Sequence, residues 1–182
     1  MIGAAARACR LPAAVLGTAL LVAALALTAD RALDVGSGTP VRAHWFLLLG
    51  VAVVTGVPLY PSFGLLDRTF PRARPLRAVR WTSVAVLVSA SVAISFPVAG
   101  AEPVTWLLLL AVAGVLSAVV TPDKAWLVVL MVGGATLLWD HLSLSSPVSS
   151  LAQEIGLAGA GTALLGSGVV FVLASGSGQS KG

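Results

Sequence analysis

Apolar residues run through this chain of 182 residues in long blocks, and the charged residues fall between them. Six stretches hold no Asp, Glu, Lys or Arg: 11–29, 43–66, 81–101, 103–122, 125–139 and 155–180, of 19, 24, 21, 20, 15 and 26 residues. An α-helix rises about 1.5 Å per residue, so about 20 residues cross the roughly 30 Å hydrocarbon core of a bilayer. Only the fifth stretch is clearly short. Thr121-Pro122-Asp123 extends it. An acceptor side chain, a proline whose missing N–H is not needed and an acid at the positive dipole end start a helix near 122, which runs to about 142. Thr39-Pro40 and Ser146-Pro147 repeat the signal and predict helix starts before the second and sixth spans. Pro58 and Pro61 mark the end of the second, and Pro97 sits near the end of the third, where a proline can kink a helix. The pattern predicts an all-α, polytopic transmembrane helix bundle of six spans. Residues 1–175 form a single domain and 176–182 a low-complexity, disordered tail.

The positions of the basic residues orient the bundle. With the N-terminus inside, Arg7, Arg10, Arg68, Arg72, Arg74, Arg77, Arg80, Lys124 and Lys181 all lie on the inner side, and only Arg31 and Arg42 lie outside. The acids reverse this: Asp30, Asp34, Glu102, Asp140 and Glu154 fall outside, Asp67 and Asp123 inside. The basic asymmetry is what the positive-inside rule reads, and it gives N-in, C-in. Trp45, Trp81, Trp106, Trp126 and Trp139 all fall at ends of the proposed spans, as an aromatic belt requires. The first span reads as a retained signal-anchor. Ala24-Leu25-Ala26 also resembles a cleavage site, and cleavage would leave the other orientations unchanged.

Composition agrees. Hydrophobic residues make up 58% and charged residues 10%, with a mean hydropathy of +1.00. Such a chain lacks the charged surface of a soluble domain. The net charge of +4 then reports orientation and not a nucleic-acid partner. In the sixth span Ala152, Gly156, Gly159, Ala160, Ala163, Gly166, Ser167 and Val170 suggest one stripe of small residues. That stripe serves either packing inside the bundle or a homo- or hetero-oligomer contact. Gly133-Gly134 in the fifth span either faces the fourth or marks a flexible point, and the short Thr121–Lys124 turn makes these two spans an antiparallel hairpin.

Little catalytic chemistry is available. Cys9 is the lone cysteine, so no intramolecular disulfide or cysteine redox pair forms. His44 and His141 are the only histidines, and neither a phosphate-binding loop nor a zincin motif occurs. Ser167 lies roughly 20 Å along its helix from Glu154, too far inward to meet His141. The reading is therefore non-enzymatic, with no cofactor and no metal.

Two features remain. The inner loop 67–80 carries Arg68, Arg72, Arg74, Arg77 and Arg80, five arginines and no lysine. It is either a topogenic segment lying against anionic lipid or a docking site for a cytoplasmic protein, since the arginine fork pairs bidentately with carboxylates. At the outer rim Asp140, His141 and Glu154 flank the polar segment 143–150, either as ordinary interfacial polarity or as a proton-relay or cation site. The Arg/Pro-rich loop Asp67–Arg80, the turn Thr121–Leu127 and the polar segment Asp140–Glu154 together resemble the small six-span permease subunits of ABC-type transporters of actinobacterial type. That resemblance implies a multi-pass protein of the bacterial inner (plasma) membrane, a subunit of a transport system energised by a separate cytoplasmic ATPase that touches the loop between spans two and three. The alternative classes are a stand-alone structural or regulatory membrane protein whose loop binds only lipid, and, last, an intramembrane enzyme using Asp140, His141 and Glu154.

Overall fold

The structure, a computed structural model, describes residues 10–28, 32–33, 41–59, 73–121, 124–141 and 147–174. Six helices account for most of them: α1 (Leu11–Thr28), α2 (Ala43–Thr55), α3 (Ala73–Ala99), α4 (Ala101–Val120), α5 (Ala125–His141) and α6 (Pro147–Leu173). The helices α1, α3, α4 and α6 are long and apolar enough to cross a membrane, as a membrane protein requires; α2, with the 3-10 turn Val57–Leu59 that follows it, and α5 are apolar but shorter. The all-α expectation holds with one addition. Between α1 and α2 two antiparallel strands of two residues each, β1 (Ala32–Leu33) and β2 (Val41–Arg42), pair in the register Ala32 with Arg42. They occupy the place where Thr39-Pro40 predicted a helix start, and α2 begins at Ala43 instead. Cys9 and the tail from residue 175 lie outside the described residues.

Helix α4 is the axis of the bundle. It packs against α2, α3, α5 and α6, and 61% of its most apolar 18 residues are buried, against 22–28% of the same length in the other three long helices. Its sequence explains why: from Pro103 to Leu110 every side chain is apolar or a threonine, and a helix apolar all round has no face to give to water. Two cores share it. Leu108, Ala111, Val115 and Ala118 join Val84 and Val88 of α3 with Ala160, Leu164 and Phe171 of α6. Trp106, Leu107 and Leu110 join Val22 and Leu25 of α1, Leu48, Leu49 and Val51 of α2, and Val129 of α5.

Most of the described hydroxyls bond within their own helix. Thr28, Thr55, Thr82, Ser83, Ser91, Thr105, Ser117, Thr136, Thr162 and Ser167 each donate a hydroxyl to a carbonyl three or four residues back in their own helix. Association therefore rests on close packing, with glycines receiving neighbouring side chains. A methyl at Gly17 would sit 2.9 Å from Val54 Cγ1, one at Gly50 3.3 Å from Leu21, and one at Gly114 3.0 Å from Val129 Cγ2. Leu49 fills the site at Gly133, with Leu110 beside it, and the Trp81 indole fills the site at Gly168. Gly133 thus faces both α2 and α4, while Gly134 opens onto empty space.

The connections correct several sequence expectations. Thr121 closes α4: its N–H and its hydroxyl both donate to the Ser117 carbonyl, at 2.8 and 3.4 Å, while its own carbonyl accepts the Lys124 N–H; Pro122 and Asp123, which carry the rest of the expected cap, lie outside the described residues. The α-helix α5 then starts at Ala125 and has 17 residues, so it stays short. Helix α3 begins at Ala73, which makes the second half of the arginine loop helical. Gly100 alone joins α3 to α4, with φ 85 and ψ −179, a backbone region open only to glycine. Gly156 takes φ 64 and ψ 174 inside α6 and breaks it. Beyond that break the buried face runs through Ala160, Leu164, Ser167, Gly168 and Phe171, while Ala163, Gly166 and Val170 face outward. The small residues therefore do not form one stripe: within the one segment beyond the break, Ala160, Ser167 and Gly168 share the packed face with Leu164 and Phe171, while Ala163, Gly166 and Val170 lie on the opposite side.

The glycine contacts give a direct test. Gly168→Ala overpacks the Trp81 indole and is expected to cost about 1–3 kcal/mol, whereas Gly134→Ala, which meets nothing, stays within about 0.5 kcal/mol of the parent; thermal unfolding in detergent compares them.

Candidate functional site: the two ends of the bundle

The helices alternate in direction, so the bundle has a basic end, where α3 begins, and a tryptophan end, where α2 and α4 begin. At the basic end Arg68 and Arg72 lie outside the described residues, and of Arg74 only the backbone is described. Arg77 is half-buried, with its guanidinium 5.8 Å from the centre of the Phe171 ring of α6. Arg80, one turn further along α3, is 4% exposed. Its neighbour Trp81 lies half-buried against Gly168, its buried Nε1 having no hydrogen-bond partner among the described residues. Lys124 is exposed at this end. The arrangement fastens the start of α3 to the end of α6 through a cation over an aromatic face and an indole seated on a glycine. It also divides the arginines: Arg80 is packed into protein and presents no surface to a partner, and Arg77 presents only one side.

At the tryptophan end Trp106 of α4 is 3% exposed. Its indole N–H donates to Thr136 Oγ1 of α5 at 3.2 Å, and Thr136 donates in turn to the Gly133 carbonyl at 2.8 Å. Trp45 of α2 meets Trp106 edge to face, with centroids 5.2 Å apart, and His44, buried, lies beside Trp45 at 5.5 Å. This pairing joins three helices at one level. It corrects the belt assignment for Trp106, and for Trp81 at the other end, because both indoles turn inward. Trp126 and Trp139, 42% and 49% exposed, stand on the surface at the two ends of α5.

The outer polar candidates are placed in part. Asp140 and His141 are the last residues of α5, and their side chains lie outside the description. Glu154 is exposed two residues before the break at Gly156. Ser167 is buried, with its hydroxyl donating to the Leu164 carbonyl at 2.7 Å, an arrangement of packing and not of a nucleophile. Among the described residues no group of three or more His, Cys, Asp and Glu could hold a metal ion.

The residues sequence reasoning missed are His44, Thr136 and Gly168. Thr136 had a legible signal, since a lone hydroxyl in an apolar helix one hairpin away from a tryptophan is a natural acceptor. His44 and Gly168 had none, because their partners come from other spans. Two substitutions probe the joints. Thr136→Val strands the Trp106 N–H in the core and is expected to cost about 1–3 kcal/mol. A double-mutant cycle of Arg77→Gln with Phe171→Leu should return a coupling of about 0.5–2 kcal/mol, read from unfolding in detergent. No protein-family model, no curated protein and no solved structure matches the chain.

Proposed function

We propose that this chain is a non-enzymatic, six-span, N-in/C-in membrane subunit of a transport system in a bacterial inner membrane, permease-like and energised by a separate cytoplasmic ATPase. The observation that carries the reading is the continuity of α3. At 27 residues it is about 40 Å long, roughly 10 Å more than a hydrocarbon core. Its first two turns, which bear Arg74, Arg77 and Arg80, therefore project past the membrane on the same rigid rod that packs against α4. A load applied at the arginines reaches the bundle without a flexible joint, and the Arg77–Phe171 and Trp81–Gly168 contacts pass it to α6. Within this reading Arg68, Arg72 and Arg74 meet the partner, and Arg77 and Arg80 position the helix that carries them.

One observation favours a second reading. Arginines packed along apolar surface at headgroup depth also describe a cation set that snorkels toward anionic lipid, as a stand-alone structural or regulatory protein would use. Co-purification separates the two. The full chain, extracted from its native membrane, should retain a subunit that a photoreactive ATP analogue labels, and Arg72→Ala with Arg74→Ala should reduce that recovery about tenfold or more, several kcal/mol being typical of lost charged contacts. Recovery of no ATP-labelled subunit with the parent chain, together with binding to vesicles that depends only on anionic lipid, would establish the second reading instead.

A further inference from the structure

The two sides of the bundle differ in height. On one side α3 exposes apolar side chains from Val79 to Val98, a rise of about 28 Å. On the other side α5, packed on α4 and α2, turns Trp126, Leu127, Leu130, Met131, Val132, Leu138 and Trp139 outward. The two tryptophans are thirteen residues apart, about 20 Å along the helix. Lys124, exposed, and Asp140 bound the same stretch, about 24 Å apart along the helix axis. Any tilt shortens these heights further. The α-helix starts at Ala125, directly after the turn in which the Lys124 N–H donates to the Thr121 carbonyl, so the charge at Lys124 stands at its start. Burial does not hide the mismatch either: Met131 and Leu138, 65% and 60% exposed, lie on the surface between the tryptophans.

We propose that the α5 face holds the adjoining bilayer several ångströms thinner than the α3 face does, so that its partner is short-chain or locally thinned lipid. Indole rings settle at the headgroup level, and the charge at each end resists being drawn into hydrocarbon. A hydrophobic surface about 20 Å tall meeting a roughly 30 Å core is relieved by drawing the two leaflets together. The large aliphatic side chains between the tryptophans suit acyl chains, in contrast to the small residues that line close helix–helix contacts elsewhere in the bundle. The inference rests on the six-span reading for α5.

The test uses the full chain reconstituted in vesicles of dimyristoleoyl, dioleoyl or dierucoyl phosphatidylcholine, each mixed with brominated dioleoyl lipid as quencher. The contribution of the α5 tryptophans is the difference between the parent and its Trp126→Phe and Trp139→Phe variants; Ile94→Trp, added separately, reports on the α3 face. The expected result is a preference for the dimyristoleoyl lipid over the dioleoyl lipid of about twofold or more at the α5 reporters, and none at the α3 reporter. Equal or reversed preference at α5 overturns the proposal. So does absence of quenching there, which would mean that a second copy or another protein covers the face. A separate arm places single cysteines, Lys124→Cys and Asp140→Cys, in a Cys9→Ser background and labels them with a membrane-impermeant maleimide. Labelling from opposite faces is expected. Labelling from one face overturns the spanning of α5 and the thinning together, whereas opposite faces with no lipid preference overturn the thinning alone.

Discussion

Steric packing onto α4 is the constraint on which the rest of this structure depends. Lipid tails are as apolar as leucine, so burial against another helix gains little that lipid would not also supply, and helices cohere when their surfaces interlock. Ten of the described Ser and Thr hydroxyls donate within their own helices, and Thr136 in addition accepts across helices, from the Trp106 indole. The glycines then decide the architecture. Gly114 admits Val129, Gly133 admits Leu49 and Leu110, and Gly168 admits Trp81, which sets the distances between α4 and α5, α5 and α2, and α6 and α3. Because the contacts are steric and mutual, a single added methyl at one of them is felt across two elements.

The same packing gives the two ends different characters. At the tryptophan end Trp45, Trp106 and Thr136 close the space among α2, α4 and α5 with one ring contact and one hydrogen bond. At the basic end the start of α3 is pinned to α6 by Arg77 and Trp81, with Arg80 buried beside them. Rigidity at a charged end suits the transmission of a load. The proposed role as a membrane subunit of a transport system draws on that property, and the two readings of the arginines differ only in what lies against them. The unequal heights of α3 and α5 follow from the local sequence alone, since arginines already belong to the rod of α3 while the apolar stretch of α5 is bounded by Lys124 and Asp140.

Much of this was legible in the charges. Charge in hydrocarbon is costly, so the gaps between charged residues outline α1, α4 and α5 to within a few residues. Ser146-Pro147 marks the start of α6, and Pro58 marks the end of α2. What the charges could not convey is rotation. Whether Trp106 or Trp126 faces inward depends on which helices surround each, and both stand at span ends in the sequence. The stripe of small residues in α6 divides for the same reason: Ala160 and Ser167 turn inward while Ala163, Gly166 and Val170 turn outward, a rotation that spacing alone does not set. By sequence Arg80 belongs with its neighbours, because a run of arginines reads as a solvated loop, whereas helix α3 starts inside that run and turns one of them into the protein. Of the candidate sites, the arginine cluster was legible as a cluster but not in its division between buried and displayed members.

Impermeant thiol labelling of single cysteines at Arg10, Ala101 and Lys124, in a Cys9→Ser background within sealed right-side-out membranes, tests the central claim most directly. Six helices crossing a membrane in alternate directions from an inner N-terminus, as proposed, predict that only the cysteine at Ala101 is labelled until the membrane is opened. Labelling of Lys124→Cys from outside, or protection of Ala101→Cys, would contradict it.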